Sequence, residues 1–227
     1  RQIVVGAERL LRLLDDLLEV SRVTQNKIEL RRRVVDLGWV AREAAEAARA
    51  QMSGRGIALE SIVDPLPVYV DGDPARLQQI AANLLHNATK YTPQGGHVRL
   101  ETGRRDGRAM LRVRDDGVGI SKDMLPSVFE LFVQSTRTLE RSQGGLGVGL
   151  TLVKSLVAMH GGQVTAHSDG EGTGAEFVVW LPCAEPGVRP AAPPERRARP
   201  VLQRGASIVI VEDNADNRLL LQAILDG

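Results

Sequence analysis

Apolar positions change their period along the chain, and the changes mark its elements. Ile3, Leu10 and Leu17 recur every seven residues, with Ala7, Leu14 and Ser21 repeating beside them. That is an a/d seam, and Arg9, Arg12, Asp15, Asp16 and Glu19 are left for solvent. Residues 1–26 are therefore expected to form a bundle or dimerisation helix. From 27 to 183 helical and strand periods alternate. Asp36 fits the cap of a helix running to about Met52, and Ile57–Val63 and Val68–Val70 read as strands. Asp73-Pro74 is a cap followed by a first-turn proline, opening a helix through Leu77, Ile80, Leu84 and Leu85. Val98–Thr102 and Ala109–Arg114 alternate around the turn Arg105-Asp106-Gly107, a hairpin pattern. A helix is expected over Lys122–Leu131, then a polar stretch without period, Gln134–Gly145, then a helix from about Gly149 to His160. Gln163–His167 and Ala175–Leu181 form a second hairpin pattern across a glycine-rich turn. The sum is α+β: helices packed on one mixed sheet.

Residues 184–205 break the pattern. They hold five of the 11 prolines, and five Arg face two Glu. An extended linker is expected there. Beyond it Ser207–Val211 reads as a buried strand, Glu212-Asp213-Asn214 follows, and a helix opens near Ala215.

Composition narrows the function classes. Lys and Arg number 29 against 28 Asp and Glu, a balance of +1 that argues against a nucleic-acid partner. Aromatics at 3% leave little for base stacking. One cysteine, Cys183, excludes an internal disulfide and a multi-cysteine zinc site. No apolar run approaches the ~20 residues of a membrane span, and no signal-peptide layout opens the chain. A cytoplasmic protein is expected, cut from a longer parent that is free to carry a membrane anchor elsewhere.

Three motifs carry chemistry. Asn83 and Asn87 lie four apart on one helical face, with Lys90 in the next turn. Amide carbonyls can ligate a hard cation, and amide and ammonium donors suit phosphate. In Asp115-Asp116-Gly117-Val118-Gly119 a carboxylate precedes two glycines that let backbone approach a flat ligand closely. Gly144-Gly145-Leu146-Gly147-Val148-Gly149-Leu150 runs into a helix, whose first amides suit anions. Its G-x-G-x-G spacing matches neither the dinucleotide fingerprint nor a P-loop. Each motif alone also reads as ordinary helix surface, strand end or turn; the three occur in order within one α+β block.

In that order, residues 27–183 resemble the catalytic ATP-binding domain of bacterial sensor histidine kinases. Asn83 to Thr92 matches the N box, Asp115 to Gly119 the first glycine box, and Phe129-Glu130-Leu131-Phe132 the phenylalanine box. Gly145 to Gly149 matches the second glycine box, and Gly172–Phe177 the last. The resemblance implies a two-layer α/β sandwich of the kind shared with gyrase and chaperone ATPases. It implies the end of a dimerisation and phosphoacceptor hairpin at 1–26 and the start of an α/β receiver domain at 206–227, as in a hybrid kinase. It also implies roles. Asp115 accepts from the adenine amino group. Asn87, with Asn83, holds Mg2+ on the ATP phosphates. Lys90 neutralises phosphate charge, and Tyr91 lies beside the adenosine. Gly117 and Gly119 floor the base pocket. Gly145, Gly147 and Gly149 hinge a lid over about 133–146, anchored by Phe129 and Phe132, and Leu146, Val148, Leu150 and Thr173 count with them among the nucleotide-binding residues. Arg137 and Arg141 in that lid are read as solvated charges, with phosphate contact as the alternative. Glu212 and Asp213 match the receiver's acidic pair, an incomplete Mg2+ site. Implied partners are a second copy through the N-terminal helix, an acceptor-histidine helix, and a receiver domain or response regulator.

The departures sharpen these expectations. Related hydrolysing ATPases carry Glu where this chain has Asn83, and an amide is no general base. Slow hydrolysis and transfer to a protein acceptor are therefore expected. His86, His97, His160 and His167 all lack the acceptor context, so the chain is expected to bind Mg-ATP without labelling itself. Ala175 stands where the last box usually has a small hydroxyl residue, with Thr173 as a possible substitute. Two alternatives remain beside the kinase reading: an ATP-hydrolysing relative and a catalytically silent dimerisation scaffold.

Overall fold

A computed structural model describes residues 29–133 and 147–184. The expectations for 1–26, for the lid residues 134–146 (with Gly145, Leu146, Arg137 and Arg141), for the linker after Ala184 and for Glu212 and Asp213 lie outside these residues.

Ten residues after the expected N-terminal helix, Asp36 turns the chain into its first described helix. Asp36 Oδ1 accepts from Gly38 N at 2.9 Å, and the helix α1 spans Leu37–Gly54. Leu37, Val40, Ala41, Ala44, Ala45 and Met52 line its buried face. The Ile57 amide closes α1 by donating to Met52 O, so the strand β2 begins one residue later than its apolar pattern, at Ala58–Val63. Strand β3, Tyr69–Gly72, leads to Asp73, whose Oδ1 accepts from Ala75 N at 3.0 Å and Arg76 N at 3.4 Å. With Pro74 as its first residue, helix α2 then spans Pro74–Tyr91. Strands β4, His97–Arg105, and β5, Arg108–Asp115, form the first hairpin through Asp106-Gly107. Helix α3 is Gly149–Met159, and β6, Gln163–His167, pairs antiparallel with β7, Ala175–Pro182.

The main sheet has the order β2-β4-β5-β7-β6; β2 and β4 run parallel and the other pairs antiparallel. Register fixes two unlike faces. Val98, Leu100, Leu111, Val113, Phe177 and Val179 lie on the buried side, where the helices pack. The other side carries a polar lattice: Arg99 bonds Glu60 at 2.7 Å, and Arg112 bonds Glu101 and approaches Glu176 at 3.6 Å. One covered face and one charged face make the expected two-layer sandwich.

Two expectations need correction. No α-helix forms over Lys122–Leu131; a 3-10 turn at Leu125–Ser127 takes its place. Pro126 has no amide for a helical bond and disfavours a helical residue before it. The second is a strand that periodicity did not reveal. Arg33–Asp36 forms β1 (numbered here by chain order) and pairs antiparallel with β3, matching Val35 to Val70. Pairing along this edge continues to the end of the described chain, where Ala184 N donates to Tyr69 O at 2.8 Å.

Candidate functional site

Helix α2 brings Asn83, Asn87, Lys90 and Tyr91 to a half-buried stripe, while Leu77, Ile80, Leu84, Leu85 and Ala88 face the core. The arrangement follows from the 3.6-residue period: a core stripe and a polar stripe run side by side. The foot of α2 is held by Asp73, which also accepts from Arg31 N at 3.0 Å through Oδ2. Burial pushes the Asp73 carboxyl up, but the amides of Arg31, Arg76 and Ala75 and the charge of Arg76 outweigh it and leave the pKa below the usual value. At the other end, the Arg55 guanidinium donates to Thr89 O and steadies the turn that carries Lys90. Lys90 Nζ bonds Tyr91 Oη at 3.0 Å and lies 4.7 Å from its ring centroid.

Asp115 ends β5 with 6% of its surface exposed. Burial pushes its carboxyl above the ordinary value; the amides of Gly117 and Ala175 pull it down only in part, and neighbouring Asp116 adds to the rise. The Gly117 amide reaches Oδ1 at 2.9 Å. The next amide in the loop, Val118 N, donates to Tyr91 O at 3.1 Å, which joins the end of α2 to the glycine loop. Gly119 has φ +70°, and a Cβ there would overlap the Gly170 carbonyl. This close approach needs glycine. Gly117 O accepts from Gly174 N at 3.1 Å, and Val118 O from Gly172 N at 2.8 Å, so the two outer glycine boxes lie zipped together.

Beyond the undescribed stretch, Gly147 at φ +72° passes so close to Phe132 and Val133 that a Cβ would lie 2.8 Å from Val133 O. Helix α3 then starts without a side-chain cap. Asn83 faces that uncapped end: its Oδ1 is 3.8 Å from where a Gly149 Cβ would be. Thr151 Oγ1, in the same first turn, is closed from solvent and has no hydrogen-bond partner among the described residues. Val148 is buried, and Leu150 packs against the core from its partly buried position. Amides without a side-chain cap, a hydroxyl without a partner among the described residues and an asparagine carbonyl together suit an anion with a hard cation beside it.

The phenylalanine pair divides. Phe129 meets Phe177 edge-to-face with centroids 6.3 Å apart, but Phe132 is 59% exposed. Its φ of +64° turns it off the path that would bury it, so Phe129 alone anchors this corner. Thr173 Oγ1 donates to Gly170 O at 2.8 Å on the exposed side of its loop. His160 is structural: Nδ1 donates to Leu156 O at 2.7 Å, and Nε2 accepts from Asp73 N at 3.0 Å. Periodicity gave no sign of Ser168. Its buried hydroxyl accepts from Ile120 N at 3.0 Å and donates to Gly174 O at 2.7 Å. A serine between strand end and glycine turn was the only available signal, and it resembles any turn residue. A shallow groove near this loop, lined by Arg114, His167 and Glu176, opens on the charged face of the sheet and holds none of the predicted residues but Thr173.

Residues 72–185 match the family model described as "Histidine kinase-, DNA gyrase B-, and HSP90-like ATPase". The chain belongs to this family. Among curated proteins it is 35% identical over 228 residues to the "Autoinducer 2 sensor kinase/phosphatase LuxQ" of Vibrio harveyi, covering 96% of this chain and 26% of that one. It is 37% identical over 177 residues to the "Histidine protein kinase DivJ" of Caulobacter vibrioides, covering 76% and 29%. The chain thus spans between a quarter and a third of these relatives. Among solved structures, full-length ShkA in complex with AMPPNP aligns at a TM-score of 0.70 with 34% identity, over 82% of this chain and 38% of that one. The mycobacterial sensor histidine kinase MprB aligns at 0.58 with 31% identity, over 70% and 99%.

The described residues therefore form a histidine-kinase ATP-binding domain, homologous to those of two-component sensor kinases. The sheet and the three α-helices among the described residues make up the α+β fold the family resemblance implied. Among the described residues no cluster of three His, Cys, Asp or Glu could hold a metal, and no helix is long and apolar enough to cross a membrane.

Proposed function

We propose that this domain binds Mg-ATP between α2 and the glycine boxes and presents the γ-phosphoryl group to a histidine on an acceptor helix. The observation that carries this reading is Asn83 against the uncapped amino end of α3. A superfamily hydrolase needs a base at that position, and an asparagine amide takes no proton from water. In the proposed reaction an imidazole nitrogen of the acceptor attacks the γ-phosphorus, the bond to the bridging β–γ oxygen breaks, ADP departs, and the imidazole proton passes to solvent.

Each residue then has a task. Asp115 accepts from the adenine 6-amino group, with Gly117 and Gly119 as the floor of that pocket and Tyr91 along the nucleoside. Lys90 turns from Tyr91 to the phosphates. Asn83 and Asn87 offer carbonyl oxygens to Mg2+, a fit for an ion that keeps few protein ligands and takes the rest from phosphate and water. Mg2+, when bound, neutralises phosphate charge and fixes phosphate geometry. Gly145 to Leu150 hinge a lid. Thr173 stands at the pocket's rim. The acceptor helix, a second copy joined through residues 1–26, and a receiver carrying Glu212 and Asp213 complete the relay. The homologous ShkA structure with AMPPNP supports a nucleotide of this class.

The test is incubation with γ-labelled ATP, alone and with a partner carrying the acceptor hairpin. Acid-labile, base-stable label on the partner, with none on this chain, is expected. Stoichiometric label on the chain alone would identify one of His86, His97, His160 or His167 as an acceptor. Rapid phosphate release without any label would identify a hydrolase instead.

A further inference from the structure

Ser168 lies outside every motif matched above, yet it joins two of them. A serine hydroxyl has one proton and two lone pairs. Here the proton goes to Gly174 O at 2.7 Å, the shorter of two carbonyl contacts; Gly170 O, at 3.2 Å, is already served by Thr173 Oγ1 at 2.8 Å. The lone pairs take the Ile120 amide at 3.0 Å and the Gly170 amide at 3.4 Å. One buried side chain thus saturates its bonding capacity on both strands of the zipped glycine loops.

What lies downstream of Gly174 gives this arrangement meaning. The next residue is Ala175, which pairs with Asp115 across β7 and β5 and turns its amide to the Asp115 carboxyl. Gly174 N also donates to Gly117 O, and Gly117 N holds Asp115 Oδ1. Both amides that aim the Asp115 carboxylate therefore belong to peptide segments bonded to, or adjoining, Gly174. The last box has Ala175 where a hydroxyl residue is usual, so no side chain within the box performs this task.

We infer that Ser168 is a positioning residue for base recognition: its hydroxyl holds the Gly174 carbonyl so that the Ala175 and Gly117 amides set the direction in which Asp115 faces the base. The inference rests on the ATP-binding reading of the site. It goes beyond that reading by assigning base selectivity to a residue in none of the boxes, acting through the backbone.

Inosine triphosphate replaces the 6-amino donor of adenine with a carbonyl oxygen and the N1 acceptor with an N1–H, and keeps the ribose and triphosphate, so the ratio of the two affinities reports recognition of the base edge that Asp115 faces. The experiment is calorimetric titration of the 227-residue chain with each nucleotide and Mg2+. Wild type should prefer ATP, and Asp115→Asn should abolish the preference. Ser168→Ala should lower the ATP-to-inosine-triphosphate ratio at least threefold. Ser168→Cys, which keeps the volume but donates weakly, should lower it in the same sense, so the inference stays testable if the alanine variant fails to fold. A purely structural role would weaken both nucleotides equally. An unchanged ratio in a folded Ser168 variant overturns the inference and leaves the ATP-binding reading intact. A wild type without preference overturns both.

Discussion

Asp73 and His160 join two helices of the site end to end. The Asp73 amide donates to Nε2 of His160 at 3.0 Å, so the residue that caps α2 is bonded to the residue that terminates α3. Nδ1 of His160 is committed to Leu156 O, which fixes the neutral tautomer with its lone pair on Nε2. Gly72 makes room, since a Cβ there would lie 2.8 Å from His160 Cδ2.

A pH dependence of stability follows. Burial lowers the His160 pKa from the ordinary 6.5; the Leu156 bond opposes it, the Arg32 charge adds to it, and Asp73 and Asp71 oppose it. Below pH 6.5 the unfolded chain takes up a proton that the fold resists, so stability falls as pH drops through that window and levels off above it. The slope from one such group is at most about 1.4 kcal/mol per pH unit. Urea unfolding of wild type and His160→Ala between pH 5 and 8 checks this. The variant should lose the slope and be less stable by about 1–3 kcal/mol at pH 8, where a buried amide loses its partner. An identical slope in both proteins would place the titration elsewhere.

Asp115 sets function against stability. Its raised pKa means that the fold bears a cost for the buried carboxylate at neutral pH. Asp115→Asn should therefore melt at the same temperature as wild type or higher, while ATP affinity falls about 10–100-fold, the loss of a charge-assisted bond of about 1.5–3 kcal/mol. For the same reason wild-type ATP affinity should fall on acidification through that raised pKa. Undiminished ATP binding by the variant would remove Asp115 from the base pocket.

At the amino end of α3, the amides of Gly149, Leu150 and Thr151 lack a side-chain cap. They should exchange quickly with deuterium in the free protein and slowly with Mg-ATP, as phosphate takes over their hydrogen bonds. Equal protection in both states would show that phosphate does not reach α3.

Asn83→Glu would put a carboxylate where the hydrolysing relatives of the superfamily carry one. Basal phosphate release should rise by about 10-fold or more, toward the 10²–10⁴ range of a positioned general base, and transfer to the acceptor hairpin should fall. A colorimetric phosphate assay reads the first effect and radiolabel the second. No rise in hydrolysis would mean that position 83 does not face the attacking water.

Much of this was legible beforehand because its causes are local. Asp36 and Asp73-Pro74 announce helices through side-chain caps and a missing amide, and both hairpins alternate cleanly because one sheet face is buried and the other charged. Local pattern failed where a long-range partner decides. Val34 and Val35 form a strand because β3 lies beside them, not because two valines among arginines suggest one. The apolar spacing over Lys122–Leu131 is helical, but Pro126 overrides it. Of the candidate site, the placing of Asn87 and Lys90 on one helix and of Asp115 at a strand end was readable from residue type and order. The approach of Asn83 to the start of α3 and the bonds of Ser168 depend on chain segments far apart in sequence, and no spacing encodes them.

The close passage of Gly147 against Phe132 and Val133 brings residues 133 and 147 together in space. Lengthening a loop whose ends are already joined costs only about 0.6 kcal/mol per doubling. The stretch between residues 133 and 147 is thus a natural port for inserted sequence: a reporter peptide placed there should neither stretch the sheet nor shift the asparagines on α2.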